Sequence, residues 1–102
     1  MKKYIARIAK FSYTTFNEFV LFMEVYEIDE NNELKLFREH LWMEAKKIDK
    51  SKQGQFIVFY GKEYEYLNNK LKTQKGLKIK YSKFIKYIKK LKLNMKNKKL
   101  IA

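Results

Sequence analysis

The sequence predicts a mainly β protein, either a β-barrel or an α+β fold, built on a small curved antiparallel sheet with a basic C-terminal helix or strand. Three observations support this prediction. Stretches rich in aromatic and β-branched residues recur along the chain, turn-forming residues separate them, and Gly61 interrupts the most strand-like stretch, residues 56–67. A glycine inside a strand pattern indicates a bulge or a sharp bend, so we expect the sheet to curl towards closure.

The first two predicted strands are residues 4–13 and 19–28. The first mixes apolar and basic residues with the short period of a strand, and the second is β-branched and aromatic. Alternation along the second strand places four apolar residues on one face: Phe19, Leu21, Met23 and Val25. The sequence DENNE at 29–33 predicts a hairpin turn, because Asp and Asn tolerate left-handed backbone and bond their own main chain.

The third predicted strand is residues 38–45, after the short apolar stretch LKLF. Leu41 and Met43 alternate there with three residues of the opposite face: His40, Trp42 and Glu44. A helix over residues 34–47 is the alternative, since apolar residues also recur at helical spacing, at Leu34, Phe37, Leu41 and Ala45.

The second half of the chain continues the alternation of strands and polar stretches. A polar connector at 46–55 leads to the strand at 56–67, and a turn-rich region at 68–76 leads to a strand at 77–81. From Phe84 the apolar spacing changes and fits one face of a helix with lysines around it. We therefore expect the chain to end in a short basic helix or a further strand.

The length of 102 residues is ordinary for one domain, which we assign to residues 1–93, with a basic, frayed tail at 94–102. Hydrophobic residues make up 46% of the chain and aromatic residues 17%, which argues against intrinsic disorder. No apolar run approaches the roughly 20 residues that span a bilayer, so we expect a cytoplasmic protein without a membrane partner. The absence of cysteine excludes disulfides, thiolate zinc sites and a cysteine nucleophile.

The net charge of +13 is unevenly distributed. Residues 1–66 hold all eleven acidic residues and an equal number of basic ones, whereas residues 67–102 hold the remaining basic residues, all lysine, and no acidic residue. A field polarised in this way attracts phosphates. The alternative is compositional, with the lysines only solvating the chain.

Several stretches together resemble small uncharacterised proteins of bacterial phages and mobile elements. They are the turn DENNE, the triplet His-Leu-Trp at 40–42, a connector that ends at Gly54, the strand FIVFYGKEYEY at 56–66 and the ending KIKYSKFIKYI at 78–88. The chain differs from that pattern at Gln55, where those proteins usually have Asp. The resemblance implies an OB-like barrel and a viral or mobile-element accessory protein of the host cytoplasm, and it assigns no catalytic activity.

An OB-like barrel commonly binds single strands through stacked aromatic side chains and a basic groove. The candidate nucleic-acid-binding residues are Trp42, Tyr64, Tyr66, Tyr81, Lys78, Lys80, Lys83, Lys86, Lys89 and Lys90. The structural alternatives are a core position for Trp42 and ordinary cross-strand packing for Tyr64 and Tyr66. Lysine lacks the bidentate geometry of arginine, so the expected binding is sequence-tolerant and salt-sensitive.

The sequence carries no recognisable catalytic constellation, and we expect no enzymatic activity, no cofactor and no small-molecule substrate. His40 is the single histidine, and together with Glu44 it supplies at most two metal ligands. Binding of single-stranded DNA or RNA is the favoured function. The alternatives are a protein-interaction module, such as a viral inhibitor of a host defence complex that uses an aromatic face or a strand edge, and a membrane-surface helix at 83–93.

Overall fold

The computed structural model describes residues 1–91, 93–94 and 99–100. The strands in these residues are β1 (Lys2–Tyr13), β2 (Glu18–Ile28), β3 (Leu34–Glu44), β4 (Phe56–Leu67), β5 (Thr73–Lys80), β6 (Lys86–Ile88), β7 (Leu93–Asn94) and β8 (Lys99–Leu100). The first five form an antiparallel sheet in the order β3-β2-β1-β4-β5, β6 pairs with the start of β4, and β7 pairs with β8. The predicted tail at 94–102 lies mostly outside the described residues.

The sheet curls into a nearly closed barrel in which its two edge strands, β3 and β5, approach each other. Arg38 of β3 donates hydrogen bonds from Nη1 to the main-chain oxygen of Lys75 (3.1 Å) and to Oη of Tyr66 (3.0 Å). A five-stranded, partly open barrel is the OB-like arrangement. The prediction of a mainly β protein with a small curved antiparallel sheet is therefore confirmed.

Apolar side chains from all five strands fill the barrel. The core residues of the strands are Tyr4, Ala6, Ile8, Val20, Phe22, Val25, Leu41, Met43, Ile57, Phe59 and Leu77. The ring of Tyr4 stacks on Phe59 with centroids 5.8 Å apart, and its hydroxyl donates a hydrogen bond to Oε1 of Glu63 (2.9 Å). Burial raises the pKa of Tyr4, and the hydrogen bond to Glu63 raises it further, so the phenol remains a neutral donor.

The two faces of β2 differ from the predicted pattern. Val20 and Phe22 are fully buried, so the odd-numbered residues of 19–23 lie on the outer face. Glu24 has left-handed backbone (φ 55°), and the register between β1 and β2 shifts near it, so Val25 returns to the core. The prediction of one face that holds Val25 together with residues 19, 21 and 23 is therefore wrong.

The strand interpretation of the third segment is correct, and the alternative helix over 34–47 is wrong. β3 pairs with β2 along its length, with Leu41 opposite Phe22 and Met43 opposite Val20. Pairing with β2 fixes the two-residue period, and the helical spacing in this stretch is coincidental.

Gly61 lies where β4 ends its pairing with β1 and continues with β5. It pairs with Lys2 on one side and with Ile79 on the other, and neither pairing shifts register there, so of the two predicted alternatives, a bulge or a sharp bend, the bulge is absent. A Cβ at this position would lie 3.0 Å from Cδ2 of Tyr4 and 3.3 Å from Cε2 of Phe59. The glycine therefore allows the strand to pass close over two core rings.

The C-terminal part departs most from the prediction. β5 begins at Thr73 rather than at 77, and it ends before Tyr81, whose left-handed backbone (φ 53°) leads into a short 3-10 turn at Ser82–Phe84. Since β6 follows, the helical interpretation from residue 84 is wrong and the alternative, a further strand, is correct. No helix in the described part of the chain is long and apolar enough to cross a membrane.

Candidate functional site

A groove of about 480 Å³ opens between β3 and β5. We call it the β3–β5 groove, and its lining residues are Phe19, Trp42, Met43, Glu44, Lys46, Lys47, Tyr64, Leu77, Lys78, Ile79 and Lys80. The groove brings together four of the residues that the sequence predicts as a site, namely Trp42, Tyr64, Lys78 and Lys80. They come from β3, β4 and β5, and closure of the barrel brings Trp42 of β3 close to the other three residues.

Trp42 supplies the aromatic surface on the β3 side of the groove. It points outward because Leu41 and Met43 face the core, and 44% of its surface is exposed, so the alternative of a core tryptophan is wrong. Trp42 pairs with Leu21 of β2, which pairs in turn with Lys10 of β1. Nζ of Lys10 lies 5.7 Å from the centroid of the Trp42 ring, a cation–π distance. The indole is therefore accessible to solvent, with Leu21 beside it in the sheet and the ammonium group of Lys10 at its ring.

Tyr64 supplies the aromatic surface on the opposite side. It pairs with Gly76 of β5, and a Cβ on that glycine would lie 2.5 Å from Cζ of Tyr64. The tyrosine ring therefore lies against bare main chain, which fixes its position while 40% of its surface stays exposed. Nζ of Lys78 lies 5.6 Å from the centroid of this ring, so Tyr64, like Trp42, carries a lysine over its face.

Tyr66, two residues along the same face, has different contacts. Its hydroxyl accepts from Arg38 and donates to Oε1 of Gln74 (3.0 Å), and its ring lies 6.0 Å from that of Tyr64. These hydrogen bonds connect β3 with β5 beside the groove rather than within it. Its role in stacking stays a prediction, whereas its structural role is visible.

The groove is positively charged. Lys78 and Lys80 of β5 line one side, and Lys46 and Lys47 of the connector after β3 line the other, with Glu44 as the one acidic lining residue. The two connector lysines are functional candidates that the sequence reasoning missed, because only the closure of the barrel brings residues 46–47 to β5. The adjacent pair of lysines in the connector was the available signal.

The other predicted basic residues lie elsewhere. Lys83, Lys86, Lys89 and Lys90 do not line the groove. Lys86 belongs to β6, which pairs with the start of β4, and Lys83 lies in the turn that follows β5. The lysine stripe predicted from the sequence is therefore divided between the groove and the surface beyond the turn. Tyr81, also outside the groove, is exposed at the end of β5.

The outer face of β2 extends the surface around Trp42. Phe19, Leu21 and Met23 are half-buried there, and Phe19 reaches the groove. Phe16, at the tip of the loop between β1 and β2, is almost fully exposed. In OB folds the face of strands 2 and 3 and the adjacent loops bind oligonucleotides. The sequence showed the alternation of these apolar residues but not that they face outward.

The described residues offer the groove no metal site, since no three or more His, Cys, Asp and Glu side chains among them converge. His40 pairs with Met23 on the exposed outer face of the β2–β3 pair. The polar groups of the groove are therefore the lysine ammonium groups, the carboxylate of Glu44 and the hydroxyl of Tyr64. Main-chain edges add to them, since β3 and β5 are the outermost strands of the order and have no ladder between them within the described sheet.

Comparisons of the chain with protein-family models, with curated proteins and with solved structures found no match.

Proposed function

We propose that the protein binds single-stranded nucleic acid in the β3–β5 groove, without catalysis and with little sequence preference. The observation that carries the proposal is the convergence of two accessible aromatic rings, Trp42 and Tyr64, with four lysines in one groove. Aromatic rings hold unpaired bases by stacking, and lysines along a groove hold the phosphates. Each of the two rings already has a lysine over its face, so both kinds of contact lie within one nucleotide's reach.

Single strands suit this groove better than duplexes. A base reaches the face of Trp42 or Tyr64 only when it is unpaired and can leave the base stack, as in a single strand. Each base stacked on an aromatic ring contributes about 1–3 kcal/mol. The cations that line the groove are lysines, which contact phosphates as point charges and do not read base edges bidentately. Affinity is therefore expected to be tolerant of sequence and to fall with salt, by about 0.7 in logarithmic slope per phosphate contact on single strands.

The setting of the proposed activity comes from the sequence resemblance. The His-Leu-Trp triplet at 40–42 and the tyrosine- and lysine-rich ending resemble small proteins of phages and mobile elements. We therefore propose an accessory protein that acts on single strands in the cytoplasm of a host cell.

The proposal is tested by fluorescence anisotropy of labelled single-stranded DNA, single-stranded RNA and duplex DNA, each about 15 nucleotides or base pairs long. The titrations are made at roughly 50 and 200 mM salt. Single strands are expected to bind more tightly than duplex, and Trp42→Ala to lower their affinity about tenfold. Tyr13→Ala is the matched control, because Tyr13 is an exposed aromatic residue outside the groove. No binding at the lower salt concentration, or equal binding of duplex and single strands by wild type and Trp42→Ala, would overturn the proposal.

A second candidate function follows from the free strand edges on the two sides of the groove. Extended peptides add to such edges through main-chain hydrogen bonds, so a protein-interaction module, such as a viral inhibitor of a host defence complex, is the alternative. Salt separates the two functions, because strand addition depends little on ionic strength and phosphate contacts depend strongly on it. A protein partner whose binding survives high salt and is lost with a proline in β3 supports the alternative.

A further inference from the structure

We propose that three aromatic residues around the C-terminal end of β5 form a second stacking site, so that a bound strand continues from the β3–β5 groove past Lys80. The three are Tyr60, Tyr81 and Phe84, which we call the aromatic cluster. The inference rests on the proposed function and adds to it a second site and a direction for the strand.

The aromatic cluster is compact and open to solvent. The ring centroids of Tyr60 and Tyr81 are 6.4 Å apart, those of Tyr60 and Phe84 6.2 Å, and those of Tyr81 and Phe84 6.3 Å, all edge to face. Tyr81 is 55% exposed and Phe84 51% exposed. Each edge-to-face contact covers one ring face, and the exposed surface that remains on Tyr81 and Phe84 is where bases stack.

The main chain places these rings at the surface at the cost of an unfavourable conformation. Tyr81 has left-handed backbone (φ 53°, ψ 61°), which is uncommon for a residue with a Cβ. The turn that follows is closed by hydrogen bonds from Phe84 N to Tyr81 O (2.8 Å) and from Ile85 N to Ser82 O (3.2 Å). Ile85 packs against the core, whereas Tyr81 and Phe84 remain exposed. Burial of the two rings therefore does not offset the strain, and such strain is typical of functional positions.

Lysines surround the aromatic cluster. Nζ of Lys3 lies 5.8 Å from the centroid of Tyr60, and Nζ of Lys83 lies 5.2 Å from that of Phe84. Tyr60 pairs with Lys3 of β1 on one side and with Lys80 of β5 on the other, so the three side chains form a row on one face of the sheet. Charge complementarity therefore favours a phosphate-bearing strand as the occupant.

Lys80 joins the two sites. It lines the β3–β5 groove, pairs with Tyr60 of the aromatic cluster and precedes Tyr81 in the chain. From Lys78 to Tyr81 the chain advances about 10 Å at the rise of an extended strand. A short oligonucleotide is therefore expected to fill one site and a longer one both, within the range of roughly 4–16 nucleotides that one OB fold binds.

Anisotropy with oligothymidylates of about 5 and 15 nucleotides tests the second site. In the wild type the affinity is expected to rise with length, and in Tyr81→Ala/Phe84→Ala the long oligonucleotide is expected to lose about tenfold in affinity, with the short one within twofold of wild type. Tyr13→Ala, which removes an exposed ring outside the groove and the aromatic cluster, is the control and is expected to keep the dependence on length. Circular dichroism and the thermal midpoint verify the fold of each variant.

The outcomes separate this inference from the proposed function. Unchanged affinity of Tyr81→Ala/Phe84→Ala for the long oligonucleotide, with loss of affinity in Trp42→Ala, would overturn the second site and leave the groove in place. An equal loss in Tyr13→Ala would also overturn it, because the effect would then belong to exposed rings in general. Absence of wild-type binding to either length would overturn the inference together with the proposed function.

Discussion

The two edge strands of the barrel, β3 and β5, meet differently at their two ends. At the closed end, Arg38 contacts both Tyr66 and the main chain of Lys75. At the open end, Trp42 and the lysines of the β3–β5 groove face each other across a gap. One pair of strands thus provides a structural contact and an accessible surface, and the proposed function belongs to the end where the barrel stays open.

Tyr64 and Tyr66 show the same difference at the level of single residues. They are two residues apart on one face of β4, yet the hydroxyl of Tyr66 makes two side-chain hydrogen bonds, whereas the ring of Tyr64 lies on Gly76. Their partners on neighbouring strands therefore determine which tyrosine stabilises the barrel and which is placed for stacking.

Charge reversal at the open end is expected to have the largest effect. Lys78→Glu/Lys80→Glu is predicted to lower the affinity for single strands about a hundredfold at low salt and to reduce the salt slope by about 1.4, because two phosphate contacts are lost. Lys70→Glu/Lys72→Glu changes the net charge equally in the loop between β4 and β5, outside the groove. Anisotropy titrations at several salt concentrations measure both quantities, and equal losses in the two variants would show that only net charge matters.

Gly76→Ala is expected to destabilise the protein by no more than about 1 kcal/mol, because the new Cβ overlaps Cζ and Oη at the exposed end of the Tyr64 side chain, which rotates away. The same substitution is expected to cost far less when Tyr64 is already alanine, since the overlapping atoms are then absent. Urea unfolding of the four proteins of this double-mutant cycle measures the coupling. Equal costs in both backgrounds would contradict the described contact between Tyr64 and Gly76.

Tyr66→Phe is expected to lower the free energy of unfolding by about 1 kcal/mol, because Arg38 and Gln74 lose their common partner at the closed end. Tyr64→Phe is the matched control, since within the described residues the hydroxyl of Tyr64 makes no hydrogen bond like those of Tyr66, and it is expected to leave stability unchanged. Both variants keep their rings and should retain wild-type affinity for oligonucleotides. A loss of stability that is equal in the two variants would contradict the different roles of the two tyrosines.

The smallest expected effect concerns Asp49, in the connector that carries Lys46 and Lys47 to the open end. Its carboxylate accepts hydrogen bonds from the hydroxyl (2.7 Å) and main-chain N (2.9 Å) of Ser51, which lower the pKa of Asp49. A carboxyl with a lowered folded-state pKa stabilises the protein above its unfolded pKa and loses that contribution as the pH falls through the folded value.

Asp49→Ala is therefore expected to have a lower thermal midpoint than the wild type at neutral pH and a smaller further decrease on acidification. Ser51→Ala removes the hydroxyl donor alone, so its thermal midpoint at neutral pH should lie between those of the wild type and Asp49→Ala. Thermal unfolding at neutral and acidic pH measures the difference. An identical pH dependence in wild type and Asp49→Ala would show that the carboxylate contributes nothing.

Most of the strands follow from local alternation, which is why the sequence predicts most of the sheet, whereas the exposure of Trp42 is seen only in the structure. The inward face of β2 does not follow from alternation, because bulky apolar residues occupy both of its faces and the irregular backbone at Glu24 shifts the pattern. The C-terminal turn depends on the left-handed backbone of Tyr81, which no local composition indicates. Propensity and alternation therefore give the elements, whereas irregular residues decide which faces they present.

The site was only partly predictable for a different reason. Alternation along the strands made Tyr64, Lys78 and Lys80 candidates, whereas for Trp42 the sequence left a core position open, and Lys46 and Lys47 join them only through closure of the barrel. Long-range pairing of this kind leaves no periodic signal in the sequence. The separation of Tyr64 from Tyr66 likewise depends on partners in other strands, at Gly76 and Arg38.

The central claim, that single strands stack in the β3–β5 groove, is tested most directly by the fluorescence of Trp42, the single tryptophan of the chain. Titration with unlabelled oligothymidylate at low salt is predicted to quench its emission to saturation, because a base stacks on the indole, and added salt is predicted to restore the emission. Anisotropy measured in parallel with a labelled oligonucleotide gives the fraction bound. Complete binding without a change in the emission of Trp42 would contradict the claim.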